Sequence, residues 1–185
     1  MSRIAIIPAR GGSKRIPKKN IKPFLGKPII AYSIEAALAS NLFDEVMVST
    51  DDAEIVDIAR KCGAKVPFIR SDKNADDYAI LVDVLLEVIE DYKTKGRVFD
   101  YACCILPTAP FVSKDKIKKS YQTLTNNNFD SGFPVLEFSY PIQRALKIQD
   151  DKVSMVNSKF ETTRSQDLEN RSMILVNFIG LKFLV

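Results

Sequence analysis

The apolar run Ile4 to Pro8 passes straight into Ala9-Arg10-Gly11-Gly12-Ser13-Lys14-Arg15-Ile16-Pro17-Lys18-Lys19-Asn20, a loop with two adjacent glycines and five basic side chains. A buried strand that empties into such a loop is an arrangement for holding a polyphosphate. Arg10, Lys14, Arg15, Lys18 and Lys19 supply charge, while Gly11 and Gly12 let the backbone approach an anion and present its N–H groups. The loop fits neither G-x-G-x-x-G nor G-x-x-x-x-G-K-[ST], so it is a third type of phosphate loop. A solvated basic turn is the bland alternative; the strand immediately before the loop weighs against it.

Hydrophobic periodicity behind the loop gives a βα rhythm. Ile29, Ile30, Ile34, Ala37 and Leu38 recur at helical spacing between Pro28 and Asn41. Glu45 to Thr50 reads as a second strand, Ala53 to Cys62 as a helix and Val66 to Ile69 as a short third strand. Ile80, Leu81, Val84, Leu85, Val88 and Ile89 form a helical stripe, followed by the apolar strand Tyr101 to Leu106 and a lysine-rich helix from Lys114 to Asn126. Strands alternating with helices predict an α/β, Rossmann-like, mainly parallel mixed sheet with helices on both faces. Ligands of such sheets bind beyond the carboxyl ends of the strands. The basic loop, Asp51 and Asp52, and the Pro107 to Phe111 turn all fall there. From Phe133 onward the pattern is broken by prolines and polar turns and reads as an excursion from the core.

Several residues at that edge have two readings. Asp51 and Asp52 suit a ribose contact or a metal ligand, and equally the N-cap of the helix that follows. Asp72, Asp76 and Asp77, after Arg70, suit either orientation of arginines or a solvated loop. Thr108 offers a hydroxyl within a turn held rigid by Pro107 and Pro110. Cys103 and Cys104 lie inside a strand and read as core filler rather than nucleophiles.

With 185 residues, 46% of them apolar, the chain suffices for one well-cored domain. Its net charge of +4 is mild and much of the excess sits in the first 27 residues, which favours local anion binding over a nucleic-acid surface. The absence of histidine excludes His-dependent triads and His-ligated metals, and Cys62, Cys103 and Cys104 form no zinc spacing. A reduced, cytoplasmic protein without a membrane span is the expectation.

These segments together resemble the cytidylyltransferases that activate nine-carbon acidic sugars, the CMP-sialic acid synthetases and above all the pseudaminic acid cytidylyltransferases. The likeness covers about Ile4 to Glu169 and rests on PARGGSKRIPKKN, STDD, FIRSD, PTAPF, SYPIQRALKI and RSQDLE. Leu106, where sialic acid synthetases carry glutamine, and Gln143-Arg144, where they carry lysine, favour the pseudaminic branch. The resemblance implies transfer of CMP from CTP to the sugar's anomeric hydroxyl, release of pyrophosphate and Mg²⁺ as cofactor. It assigns Arg10 and Lys19 to the CTP phosphates as catalytic residues. Pro8, Ala9, Gly11, Gly12, Asn20, Arg70 and Thr108 would complete the nucleotide site. Gln143, Arg164 and Gln166 would face the sugar acid, Arg164 being suited to its carboxylate. It further implies a homodimer made through the excursion, about residues 133–169.

Beyond Glu169 the likeness stops. The family would continue with a tyrosine, an acidic residue, a small residue, Gly, Gln, Phe, Tyr and Trp, then about 60 further residues. Codons permitted for Ser172 to Gly180, read two bases on, spell Tyr-Asp-Ser-Gly-Gln-Phe-Tyr-Trp. A frameshift near Asn170 is therefore expected, with residues 1–169 as the cytidylyltransferase domain and 170–185 as an aberrant tail. The family's metal-binding aspartate would lie in the replaced part, so no metal ligand is assigned in this chain. The apolar tail either stands in for a missing strand or forms an aggregation-prone edge. An inactive CTP-binding remnant and a general anion- or RNA-binding module remain as alternatives. The loop has no stacking aromatic before Phe24, which disfavours the RNA reading.

Overall fold

The structure, a computed structural model, describes residues 1–175 and 177–183. The chain divides into two compact units: residues 1–133 with the segment after 176, and Pro134–Leu175.

The first unit is built on β1 (Arg3–Pro8), whose Ile4, Ala5, Ile6 and Ile7 are all fully buried. Its four central positions are all apolar because both faces of the sheet are covered there. Ala5 and Ile7 face a core with α1 (Ile29–Ala39), α2 (Ala53–Lys61) and α5 (Lys114–Asn126). Ile4 and Ile6 face a second core with Leu85, Val88 and Tyr92 of α4 (Leu81–Thr94). Between β1 and α1 lies a small hairpin, β2 (Pro23–Phe24) with β3 (Lys27–Pro28). β1 pairs in parallel with β4 (Glu45–Ser49) on one side and β5 (Tyr101–Ile105) on the other. The sheet is completed by β6 (Ser131–Gly132) and, between β5 and β6, by β11 (Phe178–Lys182), which runs antiparallel to both. A mixed sheet sandwiched by helices is thus the observed fold class.

Two sequence expectations resolve differently from one another. Val66 to Ile69 is not a regular strand: Lys65 makes a single parallel bridge to Met47, and Pro67, lacking an N–H, cannot extend the ladder. The tail, by contrast, does enter the sheet. Phe178 is only 5% exposed and β11 is hydrogen-bonded on both sides, so this segment occupies an interior position rather than an edge.

At the end of the sheet opposite the basic loop, the buried carboxylate of Glu45 gathers three donors. Arg97 Nη1 lies at 2.7 Å, Lys65 Nζ at 3.1 Å and Tyr92 Oη at 3.1 Å. Burial would raise its pKa, but the hydrogen bonds from Arg97 and Lys65 outweigh this and hold the carboxyl below its ordinary range.

The second unit contains β7 (Val135–Glu137) paired antiparallel with β10 (Ser172–Ile174), and a separate hairpin of β8 (Leu146–Gln149) with β9 (Lys152–Met155). Much of its apolar surface is exposed, including Leu136, Ile142, Leu146, Ile148, Val153 and Val156.

Candidate active site

The chain leaves β1 at Pro8, and the Ala9 N–H donates to the Ser49 carbonyl at 2.9 Å, so the basic loop starts pinned to the end of β4. Asn20 clips its two ends together, Nδ2 donating to the Arg10 carbonyl at 2.9 Å. Asn20 is 4% exposed, and its Oδ1 is buried without a partner among the described residues. A buried acceptor left unsatisfied costs free energy.

The glycines have different surroundings. The Gly11 N–H donates to Asp51 Oδ1 at 2.9 Å, so this amide is engaged by a carboxylate in the chain itself. Asp52 caps α2, its Oδ1 accepting from the N–H groups of Glu54 at 2.8 Å and Ile55 at 3.0 Å. Both aspartates thus serve the backbone, and the cap reading of Asp52 holds. Gly12 is exposed, with open space where a Cβ would stand.

The loop's cations separate by partner. Lys18 pairs with Glu54 and so straps the loop to α2. Arg10 and Lys14 both engage Asp77, Arg10 Nη2 at 3.0 Å from Oδ1, and Arg10 Nη1 also donates to the Asp76 carbonyl. Arg15 and Lys19 make no side-chain hydrogen bond or ion pair among the described residues, and both are exposed.

Arg70 enters from the segment after α2 and is 6% exposed. Its Nε donates to Ser49 Oγ at 3.0 Å and its Nη2 to the Ser49 carbonyl. Burial pulls its pKa down from the ordinary guanidinium value, opposed by the nearby charges of Asp51 and Glu87. At the far side, Ser33 Oγ donates to the Leu106 carbonyl at 2.7 Å and ties the Pro107-Thr108 turn to α1.

These pieces surround a cleft of about 260 Å³ at the carboxyl ends of β1, β4 and β5. Of the nucleotide-site residues expected from the sequence, Pro8, Arg10, Lys19, Asn20, Arg70 and Thr108 all line it. Gly11 and Gly12 line an adjoining cleft with Lys14 and Lys18, and Ala9 is fully buried behind the loop. Asn74, Asp76, Asp77 and Ala79 also line the main cleft. Of these, only Asp76 and Asp77 stand out in the sequence, because a short polar helix such as α3 (Asp72–Ala75) carries no apolar periodicity to place it. Ser49, the anchor of Arg70, belongs to the STDD motif, but nothing in that motif by itself pairs it with Arg70.

Gln143, Arg164 and Gln166 belong to the second unit. Gln143 Nε2 donates to the Glu169 carbonyl at 2.7 Å, and its Oε1 is buried without a partner among the described residues. Arg164 makes a forked pair with Asp167, at 2.7 Å from Nε and 3.1 Å from Nη2. Gln166 is exposed.

Cys103 and Cys104 are buried free thiols; burial pushes Cys104 up to about 12 and Cys103 higher still, so neither is a nucleophile at neutral pH. Among the described residues no three His, Cys, Asp or Glu side chains cluster as a metal site, and no helix is long and apolar enough to cross a membrane. The carboxylates bordering the loop do not gather into a metal-ligand set among the described residues. Asp51, Asp52 and Asp76 accept from backbone N–H groups, and Asp77 is held by Arg10 and Lys14.

Comparison with known proteins agrees with this geometry. The cytidylyltransferase family model matches residues 4–177. A pseudaminic acid cytidylyltransferase of Campylobacter jejuni serotype O:2 is 48% identical over 169 residues, covering 91% of this chain and 73% of the relative. N-acylneuraminate cytidylyltransferase A of Danio rerio is 37% identical over 136 residues, covering 71% of this chain and 30% of that protein. Among solved structures, a CMP:2-keto-3-deoxy-manno-octonic acid synthetase complexed with CTP superposes with a TM-score of 0.72 at 20% identity, covering 98% of this chain and 74% of that one, a likeness of fold. The strand-to-basic-loop junction, the cleft at the strand ends and the relatives in sequence all lead to one assignment: the chain belongs to the cytidylyltransferase family, alongside the pseudaminic acid cytidylyltransferases.

Proposed function

We propose that the chain transfers CMP from CTP to the anomeric hydroxyl of a nonulosonic sugar acid, with pseudaminic acid preferred over N-acetylneuraminic acid. The hydroxyl oxygen attacks the α-phosphorus and gives up its proton to water, the bond from the α-phosphorus to the bridging β-phosphate oxygen breaks, and pyrophosphate leaves. Such a reaction needs the triphosphate neutralised and the hydroxyl held in line, so positioning and electrostatics supply most of the rate. The observation that carries this reading is the convergence of Arg10, Lys19, Asn20, Arg70 and Thr108 on one cleft. Arg10 and Lys19 take the phosphates; Asn20 and Arg70 fix the nucleoside end. The high identity to pseudaminic acid cytidylyltransferases supports the choice of sugar.

Gln143, Arg164 and Gln166 are proposed to meet the sugar acid, Arg164 exchanging Asp167 for the substrate carboxylate. Mg²⁺ is proposed to arrive with CTP, since the carboxylates along the loop form no ligand set of their own among the described residues. The exposed apolar side chains of the second unit support a homodimer formed through it, and the free thiols support a cytoplasmic location. The test is pyrophosphate release by the 185-residue chain with Mg²⁺ and CTP, with either sugar acid. Release with pseudaminic acid above the no-sugar background is expected; its absence with both sugars refutes the reading. Sedimentation of the same sample at micromolar concentration is expected to give a dimer.

A further inference from the structure

Arg10, proposed above to meet the triphosphate, and Lys14, a second cation of the same loop, are not waiting free. The Asp77 carboxylate bridges them, Oδ1 to Arg10 Nη2 at 3.0 Å and Oδ2 to Lys14 Nζ. The other terminal nitrogen of Arg10 is taken by the Asp76 carbonyl. Both terminal nitrogens of Arg10 are therefore engaged by the segment that follows α3, so a phosphate has to compete with that segment for the fork.

The segment is delivered by local structure. Glu87 of α4 accepts from the Ser71 N–H at 2.8 Å and from Asn74 Nδ2 at 2.7 Å, which fixes α3 at its base. Asp76 Oδ1 then accepts from the N–H groups of Tyr78 at 2.8 Å and Ala79 at 2.7 Å, a turn that aims Asp77 back at the loop. Asp76 and Asp77 line both the main cleft and the adjoining cleft of Gly11, Gly12 and Lys14, so they form the wall between the two.

We propose that Asp77 is a built-in counter-anion: one oxygen on each cation, it takes the bridging position of a phosphate group, holds Arg10 and Lys14 together in the empty protein, and is displaced when the triphosphate binds. The proposal rests on the CTP reading above. Displacement is favourable because a triphosphate carries several negative charges against one, and its oxygens match the guanidinium fork. Retention is weak because the Lys14 side chain is 81% exposed and that of Asp77 32%, so the pair is screened by water and salt. The hydrogen bond from Lys14, opposed by partial burial and assisted by Arg10, holds the Asp77 carboxyl below its ordinary range, so it is an anion throughout the neutral range.

The experiment is calorimetric titration of the full chain and its Asp77→Asn variant with inorganic tripolyphosphate and, separately, with CTP, at two salt concentrations. Asp77→Asn is expected to bind tripolyphosphate about fivefold more tightly, with a steeper loss of affinity as salt rises, because a competing anion has been removed. Asp77→Ser, with thermal unfolding of both variants as the check on folding, is expected to do the same. Equal or weaker binding by the folded variants overturns the proposal, since a merely structural tie would not compete with the ligand. If wild type binds tripolyphosphate but not CTP, the nucleotide reading fails, while the role of Asp77 is still decided by the tripolyphosphate arm.

Discussion

A Cβ on Gly11 would lie 2.6 Å from Asp52 Oδ2 and 2.8 Å from Asp52 Cβ, so the backbone of the basic loop rests directly on the residue that caps α2. Neither partner can give way cheaply. Asp52 is held by the Glu54 and Ile55 amides, and Gly11 by Asp51. Gly11→Ala is expected to cost about 1–2 kcal/mol, the worth of a lost cap, and to misplace Arg10. Gly12→Ala, with nothing within 4 Å of its Cβ, is expected to stay within about 0.5 kcal/mol of wild type. Urea denaturation of the two variants side by side checks the contrast.

Arg10 and Lys19 line the cleft from opposite ends of the loop. Under the proposed reaction, Arg10→Ala and Lys19→Ala should each lower kcat/KM for CTP by about 10²–10³-fold, the scale of a lost charge-stabilising group. Lys18→Ala, whose partner is Glu54, should lower it far less. Pyrophosphate release at varied CTP distinguishes the three.

Glu45 sets an acid limit on stability. Its folded pKa lies below the ordinary carboxylate value, so its contribution is complete above that value and is lost as pH falls through the lowered one. The melting temperature of wild type should therefore drop on acidification below about pH 4.3. Glu45→Gln should start lower at pH 7, by about 1–3 kcal/mol, and show a shallower drop. Melting curves across this range decide the matter, and parallel curves for the two proteins would rule Glu45 out.

Phe178 tests whether the tail is part of the sheet in solution. It is buried in the same core as Ile105 and Ile117. Phe178→Ala should destabilise the chain by about 3–5 kcal/mol in urea denaturation. An unchanged midpoint would mean that β11 does not hold its place between β5 and β6.

The sequence by itself determined the alternation of strands and helices, the strand-to-loop junction at Pro8 and the cations that follow it. These are written in local periodicity and in glycine and charge placement, which act over a few residues. It also carried the pattern by which the family is known. The tertiary structure decided the pairings that join residues far apart in the chain. It gave the Gly11 amide to Asp51, tied Arg70 to Ser49, buried Asn20 Oδ1 without a partner among the described residues and closed Asp77 on Arg10. It placed β11 inside the sheet and ended the ladder before Pro67. Such contacts depend on how packed elements bring together residues far apart in the sequence, at separations where no local pattern specifies a partner.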